Sequence, residues 1–202
     1  LVMNPPYMGR SGMNDLITQY VHDNYALGKW DLFATFMLVA INRLEINAKM
    51  SMINMHSWMF LDAFEALRMY LVKNFQIDNM LHLGPNTFDE LSGEVVQNTT
   101  FVISKNRPNH AGDYYKLSTG NNCAAKEQLF LNDYGHYRNV DQLKFDTIPS
   151  CPIAYWLSIN WLKLFGKQSI NDLAISKAGI VSGDDNYFVK YWHEVCFKDI
   201  SF

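Results

Sequence analysis

The sequence has 202 residues, of which 49% are hydrophobic and only 18% are charged, a composition that excludes an intrinsically disordered chain. The formal net charge of -3 gives no overall basic surface, which argues against a self-sufficient DNA-binding domain. The three cysteines are widely spaced and the histidines lack metal-ligand spacing, so we expect a cytoplasmic protein with reduced thiols, no disulfide framework and no metal site. The longest apolar stretches, such as residues 33–41, are too short to span a membrane.

The first half of the chain predicts helices that alternate with strands. Residues 1–3 end a strand, because the two prolines that follow cannot continue a central ladder. Hydrophobic periodicity then predicts helices at residues 15–25, 31–44 and 58–73, and strands at residues 49–55, 76–83 and 94–104. This order predicts an open α/β sheet whose last two strands close as an antiparallel edge.

The character of the sequence changes after about Arg107. Turn-rich stretches at residues 106–112 and 120–122 lead into a region of scattered aromatics and weak periodicity. We therefore expect one domain at residues 1–107 and a mixed, irregular region at residues 108–202. Three tryptophans of the second region are interpreted as its buried core rather than as a platform for stacked bases: Trp156, Trp161 and Trp192.

The most specific signal is the tetrapeptide Asn4-Pro5-Pro6-Tyr7 at the carboxyl end of the first strand. Ligands of open α/β sheets bind beyond these strand ends. An exocyclic amino group is a poor nucleophile because its lone pair is delocalised into the ring, and an enzyme can free that lone pair by accepting both N–H groups. The Asn4 side-chain oxygen and the Pro5 carbonyl can accept them, in a turn that the prolines fix in advance. Tyr7 offers a flat face to a flipped-out base.

These residues carry a resemblance to a known family. Residues 1–7 resemble motif IV of the DNA amino-methyltransferases, and residues 29–36 are similar to their motif V. Residues 50–58 are similar to the next strand and turn, although the family more often has proline where His56 stands, and residues 95–105 resemble motif VIII. Three later runs are similar to the large adenine-specific methyltransferases of BREX-type phage-defence and restriction–modification systems: residues 148–156, 179–188 and 191–195.

The resemblance implies a fold and an activity. The fold is the C-terminal half of a Rossmann-like, S-adenosylmethionine-dependent methyltransferase sheet over residues 1–107. It is followed by a linker and the start of a target-recognition region over residues 108–202. The activity is transfer of a methyl group from S-adenosyl-L-methionine to the N6 amino group of an adenine flipped out of double-stranded DNA. Other subunits of a restriction–modification or phage-defence system are possible partners.

The resemblance also implies roles for individual residues. Asn4, Pro5 and Tyr7 match the residues that hold and stack the target adenine, with Pro6 completing the catalytic tetrapeptide. Asp31 and Phe36 match positions near the cofactor, although a helix N-terminal carboxylate and a core aromatic are the alternatives. Phe101 or Ile103 is expected to meet the other face of the base. Arg10, Lys29 and Arg107 could contact phosphates, although each alone also fits a solvated surface charge.

The sequence contains no strand followed by a Gly-x-Gly turn, which the family uses to approach S-adenosylmethionine. We therefore expect the missing part to lie upstream, and the chain alone to bind the cofactor weakly and to have little activity. An unpaired sheet edge beside Val2 would favour self-association. The turn at residues 183–186 is typical of a polar turn rather than of a metal site.

Three other functions stay open. A protein glutamine methyltransferase also uses an Asn-Pro-Pro-Tyr motif, but such chains normally end soon after the catalytic fold, so the long tail favours DNA. Cytosine-N4 methylation usually shows serine in place of Asn4. The third alternative is a non-catalytic DNA-recognition or scaffold module within a larger assembly.

Overall fold

The computed structural model describes residues 1–88, 96–165, 167, 170–174 and 189–196. Residues 1–166 form one compact unit, and residues 167–202 form a second one. The described part of the first unit contains the five helices α1 (Asp15–Asn24), α2 (Leu32–Arg43), α3 (Glu65–Asn74), α4 (Cys123–Leu131) and α5 (Ile159–Leu162). Three of them begin at a side chain that accepts a hydrogen bond from a backbone N–H of the first turn: Asn14 for α1, Asp31 for α2 and Asn122 for α4.

Among the described residues, six strands form a single mixed sheet in the order β1-β2-β4-β3-β5-β6. Their bounds are β1 (Val2–Met3), β2 (Lys49–Met55), β3 (Gln76–Gly84), β4 (Asn98–Ser104), β5 (Gly112–Lys116) and β6 (His136–Val140). β1 runs parallel to β2, and β4 runs antiparallel to both β2 and β3. Met55 and Gly84 both lie opposite Asn98. The carboxyl ends of β1, β2 and β3 and the start of β4 therefore share one edge of the sheet.

The hydrophobic core is one cluster built by the sheet and by helices α2 and α3. β2 alternates strictly, with Met50, Met52 and Asn54 buried between partly exposed neighbours, as expected for a strand with one covered face. The other large members of the cluster include Phe33, Met37 and Ile41 of α2, Leu67 and Leu71 of α3, and Trp58, Met80, Phe101 and Ile103.

A fully buried arginine joins α3 to the segment that follows the sheet. Arg68 is 0% exposed and donates hydrogen bonds to the carbonyls of Trp58, Leu61, Ser150 and Cys151. Ser150 and Cys151 both have positive φ, at 62° and 48°. Burial lowers the pKa of the Arg68 guanidinium. The guanidinium thus satisfies two carbonyls in a strained turn that local sequence alone would not hold.

The sheet corrects two of the expectations from sequence. β4 lies between β2 and β3 instead of closing the sheet as an edge, because its N–H and C=O groups pair on both sides. The helix predicted at residues 58–73 begins only at Glu65, after 3-10 turns at His56–Met59 and Asp62–Phe64. The reason is that the Trp58 indole donates a hydrogen bond to the Asn54 side-chain oxygen, which fixes the chain in a tight turn directly after β2.

The sheet continues past residue 107. β5 continues the sheet beside β3, β6 follows it, and the compact unit extends to residue 166. The interpretation of the later tryptophans as buried core is not supported for Trp161, which is 61% exposed, whereas Trp156 is partly buried and packs against the core. The side chain of Trp192 lies outside the described residues.

In the second unit the described residues form a four-residue helix, α6 (Ile170–Leu173), and a 3-10 turn at Trp192–Glu194. The runs at residues 179–188 and 183–186 singled out from the sequence lie outside the described residues. Within the part of the chain that the structure describes, no helix combines the length and the apolar character needed to cross a membrane.

Candidate active site

The tetrapeptide Asn4-Pro5-Pro6-Tyr7 directly follows β1 at the shared edge of the sheet. Asn4 and Pro6 are exposed, Pro5 is buried and Tyr7 is partly buried. Asn4 borders a cleft of about 240 Å³ whose other lining residues are Val2, Met3, Ser51, Met52, Ile53 and Thr100. The amide of Asn4 is therefore accessible, while the backbone on which it stands is fixed by packing at Pro5.

The carboxylate of Asp31 fastens the loop that leaves this tetrapeptide. Its Oδ1 accepts hydrogen bonds from the backbone N–H of Met8, at 3.1 Å, and of Phe33, at 3.2 Å. The backbone of the loop also pairs with the residues around Asp31, through Leu32 N to Met8 O at 3.0 Å and Arg10 N to Trp30 O at 3.0 Å. Burial raises the pKa of the Asp31 carboxyl, and the backbone N–H donors oppose that rise. Asp31 thus caps α2 and ties the loop to it.

Tyr7 is held at both its ring and its hydroxyl. Its ring meets the Phe33 ring edge to face, with 6.3 Å between centroids and 86° between planes. Its hydroxyl accepts a hydrogen bond from Asn98 Nδ2 at 3.1 Å and contacts the Ile53 carbonyl at 3.5 Å. Burial raises the pKa of the Tyr7 phenol, while the Asn98 hydrogen bond lowers it. The ring therefore has a defined orientation beside Asn4.

Asn98 is a residue of the site that the reading of the sequence missed. It is the first residue of β4 and is fully buried, and its Oδ1 has no hydrogen-bond partner among the described residues. It lies within residues 95–105, the stretch that resembles motif VIII. No pattern within this strand marks Asn98 as a site residue, because polar Thr99, Thr100 and Ser104 belong to the same strand.

Phe101 and Ile103 do not reach the tetrapeptide. Phe101 is 1% exposed and meets the Trp58 ring edge to face at 5.2 Å, and Ile103 is also buried in the core. A ring enclosed in this way has no face to offer to a base, so this placement does not support the stacking role expected for Phe101. Phe36 is partly buried on α2, one turn beyond the Asp31 cap.

A cluster of imidazole and aromatic rings lies at the same edge of the sheet. His82 of β3 contacts His56 Nδ1 through Nε2 at 2.9 Å and the Tyr155 hydroxyl through Nδ1 at 3.2 Å. Trp156 stacks on His82, with 6.5 Å between ring centroids. Burial is the main cause that lowers the pKa of His82 to about 4. The segment that Arg68 anchors therefore supplies rings to the edge that carries Asn4.

The chain is similar to several known proteins. Residues 1–88 match the Eco57I restriction-modification methylase family. The whole chain is similar to the adenine-specific methyltransferase PglX of Lacticaseibacillus casei (strain Zhang), with 36% identity over 209 residues. It is also similar to the adenine-specific methyltransferase BrxX of Escherichia coli O9:H4 (strain HS), with 38% identity over 96% of the chain. The chain spans only 17% and 16% of the lengths of these two curated relatives.

Solved structures support the fold. A modification subunit of a putative type I restriction enzyme from Vibrio vulnificus YJ016 covers 70% of this chain, and 31% of its own length is matched, with a TM-score of 0.51 and 14% identity. The DrdV–DNA complex covers 63% of this chain and is matched over 15% of its length, with a TM-score of 0.51 and 15% identity. The chain is therefore similar over nearly its whole length to one part of two curated adenine-specific methyltransferases, and its residues 1–88 match a restriction-modification methylase family.

Proposed function

We propose that this chain forms the target-base side of the active site in a DNA methyltransferase. The full-length protein would transfer a methyl group to the N6 amino group of an adenine flipped out of the duplex, in a restriction–modification or phage-defence system. The observation that carries the proposal is the exposed amide of Asn4 at the carboxyl end of β1, beside the fixed ring of Tyr7.

The chemistry follows from the donors and acceptors of the tetrapeptide. The Asn4 side-chain oxygen and the Pro5 carbonyl accept the two N–H groups of the adenine amino group, which draws its nitrogen toward tetrahedral geometry and frees the lone pair. Pro5 is buried, so the two acceptors are set before the base arrives and little reorganisation is needed. Tyr7 stacks on the base and replaces part of the stacking lost when the base leaves the duplex.

The methyl donor of this family is S-adenosyl-L-methionine, which when bound supplies a methyl group on a positively charged sulfur. Asp31 and Phe36 would lie at the edge of its site. The fit is partial, because Asp31 already uses Oδ1 to hold Met8 and Phe33. The glycine-rich turn and the acidic residue for the ribose would come from another part of the full-length polypeptide.

Double-stranded DNA is the proposed substrate, and the cytoplasm is the proposed site of action, because that is where a bacterial defence enzyme meets DNA. Other subunits of the defence system are proposed partners. Residues 108–202 are proposed to lead into the target-recognition region.

The test uses the full-length polypeptide that contains this chain and measures transfer of labelled methyl groups, with the methylated nucleoside identified by mass spectrometry. Asn4→Ala should lower kcat by roughly 100-fold or more, in line with the loss of one preorganised polar contact in an active site. Tyr7→Ala should lower activity by roughly tenfold to 100-fold, because one base-stacking contact is lost. Asn4→Asp keeps an acceptor and should retain more activity than Asn4→Ala.

Asn74→Ala is the matched control, since Asn74 is exposed at the end of α3 and its amide donates to the Tyr70 carbonyl of the same helix. It should leave the rate unchanged. Wild-type rates in both Asn4→Ala and Tyr7→Ala would contradict the proposal. Methylation of cytosine or of a protein amide would replace the proposed substrate with one of the alternatives.

A further inference from the structure

Two cations and one indole ring lie together on the surface beside the tetrapeptide. The Arg10 guanidinium carbon lies 5.5 Å from the centroid of the Trp30 ring, and the Lys29 ammonium lies 5.3 Å from the same centroid. Arg10 is exposed, Lys29 is partly buried and Trp30 is 40% exposed. These three residues are referred to below as the basic cluster.

Backbone hydrogen bonds fix the basic cluster relative to Tyr7. Arg10 N donates a hydrogen bond to Trp30 O at 3.0 Å. Leu32 N donates one to Met8 O, also at 3.0 Å, so the two short segments run antiparallel to each other. Arg10 follows Tyr7 by three residues, a separation of at most about 10 Å along the chain. The cluster is therefore held close to the ring proposed to stack on the base.

Among the residues that the structure describes, no acidic side chain is paired with the charges of the basic cluster. Asp31 follows Trp30 directly in the sequence, but its Oδ1 accepts hydrogen bonds from the backbone N–H groups of Met8 and Phe33. Two like charges gathered at one ring repel each other, and an anion placed between them would relieve that repulsion.

We propose that Arg10, Lys29 and Trp30 bind the sugar-phosphate backbone of the DNA strand next to the nucleotide held by Asn4 and Tyr7. This inference rests on the proposed function and adds to it the surface that grips the strand. A flipped nucleotide remains bonded to its two phosphates, so a phosphate must lie close to the ring that stacks on its base. A guanidinium and an ammonium are the groups that bind phosphate oxygens, and contact with the Trp30 ring holds both cations next to each other.

The experiment measures how DNA affinity depends on salt in the full-length protein. The probe is a fluorescein-labelled duplex with one adenine opposite an abasic position, which lowers the cost of flipping, and binding is followed by anisotropy. Arg10→Ala and Lys29→Ala should each reduce the slope of log affinity against log salt by about 1, and the double variant should reduce it by about 2. Trp30→Leu keeps both charges, so it should weaken binding without changing that slope.

Arg43→Ala is the matched control. Arg43 is exposed in the last turn of α2, at the end of that helix far from Asp31, and its removal changes the net charge by the same amount. It should leave the slope unchanged, and Arg10→Lys, which keeps the charge, should retain the wild-type slope. Circular dichroism of each variant checks that the fold is intact.

The inference is overturned if Arg10→Ala and Lys29→Ala change the slope no more than Arg43→Ala does. It is also overturned if duplex RNA competes as strongly as duplex DNA with the same dependence on the two cations. Methylation by Asn4→Ala tests the proposed function separately. If Asn4→Ala lost most of its methylation while Arg10→Ala and Lys29→Ala kept the wild-type salt slope, the basic cluster would have no role in DNA binding. The proposed chemistry would then still stand.

Discussion

The side-chain amide of Asn98 donates a hydrogen bond to the hydroxyl of Tyr7 at 3.1 Å, although 91 residues separate the two positions. Asn98 begins the antiparallel strand β4, and its backbone lies opposite Met55 of β2 and Gly84 of β3. The reversed strand therefore brings a fully buried amide to the edge where the tetrapeptide emerges. Asn98 is a positioning residue in this arrangement, because it contacts the ring proposed to stack on the base and not the base itself.

Asn98→Ala should lower kcat in the full-length protein by roughly two- to tenfold, the range expected for the loss of one hydrogen bond. A double-mutant cycle with Tyr7→Phe separates positioning from a general loss of structure. Tyr7→Phe removes the hydroxyl that Asn98 holds, so Asn98→Ala should have little further effect on kcat in that background. Fluorescence of 2-aminopurine at the target position reports the stacking directly. Additive effects of the two substitutions on kcat would show that Asn98 does not act through Tyr7.

Asp31→Ala should destabilise the 202-residue chain by about 1–2 kcal/mol, because a helix cap is lost and the Met8 N–H loses its acceptor. Asp31→Asn retains Oδ1 and should cost less. Asn122→Ala removes the cap of α4 but has no contact with the tetrapeptide loop, so it should lower stability without changing methylation by the full-length protein. Urea unfolding and methyl transfer measure the two effects.

The raised pKa of Asp31 makes the stability of the fold depend on pH. Burial raises the pKa of this carboxyl in the folded protein, so the folded state holds the proton more tightly than the unfolded state does. The stability that Asp31 contributes is full below its ordinary pKa of 3.8 and is lost as pH rises through the folded value. The free energy of unfolding of the wild type should therefore fall relative to Asp31→Asn as pH rises above 3.8. A difference that is constant with pH would contradict this account.

Arg68→Ala should destabilise the chain by about 3–5 kcal/mol, because it leaves buried carbonyls without donors and releases the strained turn at Ser150 and Cys151. Arg68→Lys should recover little of this, since one ammonium cannot reproduce the spread of the guanidinium donors. The control is Lys73→Ala, which removes a surface ion pair with Asp146 between the same two parts of the chain and should cost about 0.5 kcal/mol or less. If Arg68→Ala and Lys73→Ala lowered the free energy of unfolding by similar amounts, Arg68 would not be the residue that anchors the turn at Ser150 and Cys151 to α3.

The sequence was informative where structure depends on near neighbours. The tetrapeptide at a strand end and the cap at Asp31 both follow from residues within a few positions of one another, and the structure has them where the pattern placed them. The placement of β4 between two strands was not accessible in this way. An apolar strand has the same local pattern at an edge and in the centre, and only its pairing partners decide.

The same reason explains which site residues were missed. The contact between Asn98 and Tyr7 joins residues 91 positions apart, and that between His82 and Tyr155 joins residues 73 positions apart. Arg68 reaches Ser150 across 82 positions. Phe101 was selected as an aromatic residue in a strand near the site, but the side to which a strand residue points depends on register, and here it points into the core.

The His56–His82 pair predicts a second pH effect, opposite in sign to that of Asp31. A neutral His82 satisfies both its contacts if Nδ1 accepts from the Tyr155 hydroxyl and Nε2 donates to His56 Nδ1. Protonation would place a hydrogen on Nδ1, which could then no longer accept from the Tyr155 hydroxyl, and would place a charge in a buried site. Burial first, and the neighbouring His56 second, lower the pKa of His82 from 6.5 to about 4.

Because the folded pKa lies below the unfolded one, the stability that neutral His82 contributes is present above pH 6.5 and is lost as pH falls toward 4. Between pH 7 and pH 5 the free energy of unfolding should fall by about 1–2 kcal/mol more in the wild type than in His82→Gln. His22→Gln is the control, since His22 is exposed on α1, and it should follow the wild type. If the free energy of unfolding changed equally with pH in the wild type and in His82→Gln, the buried imidazole of His82 would not determine the acid sensitivity of this fold.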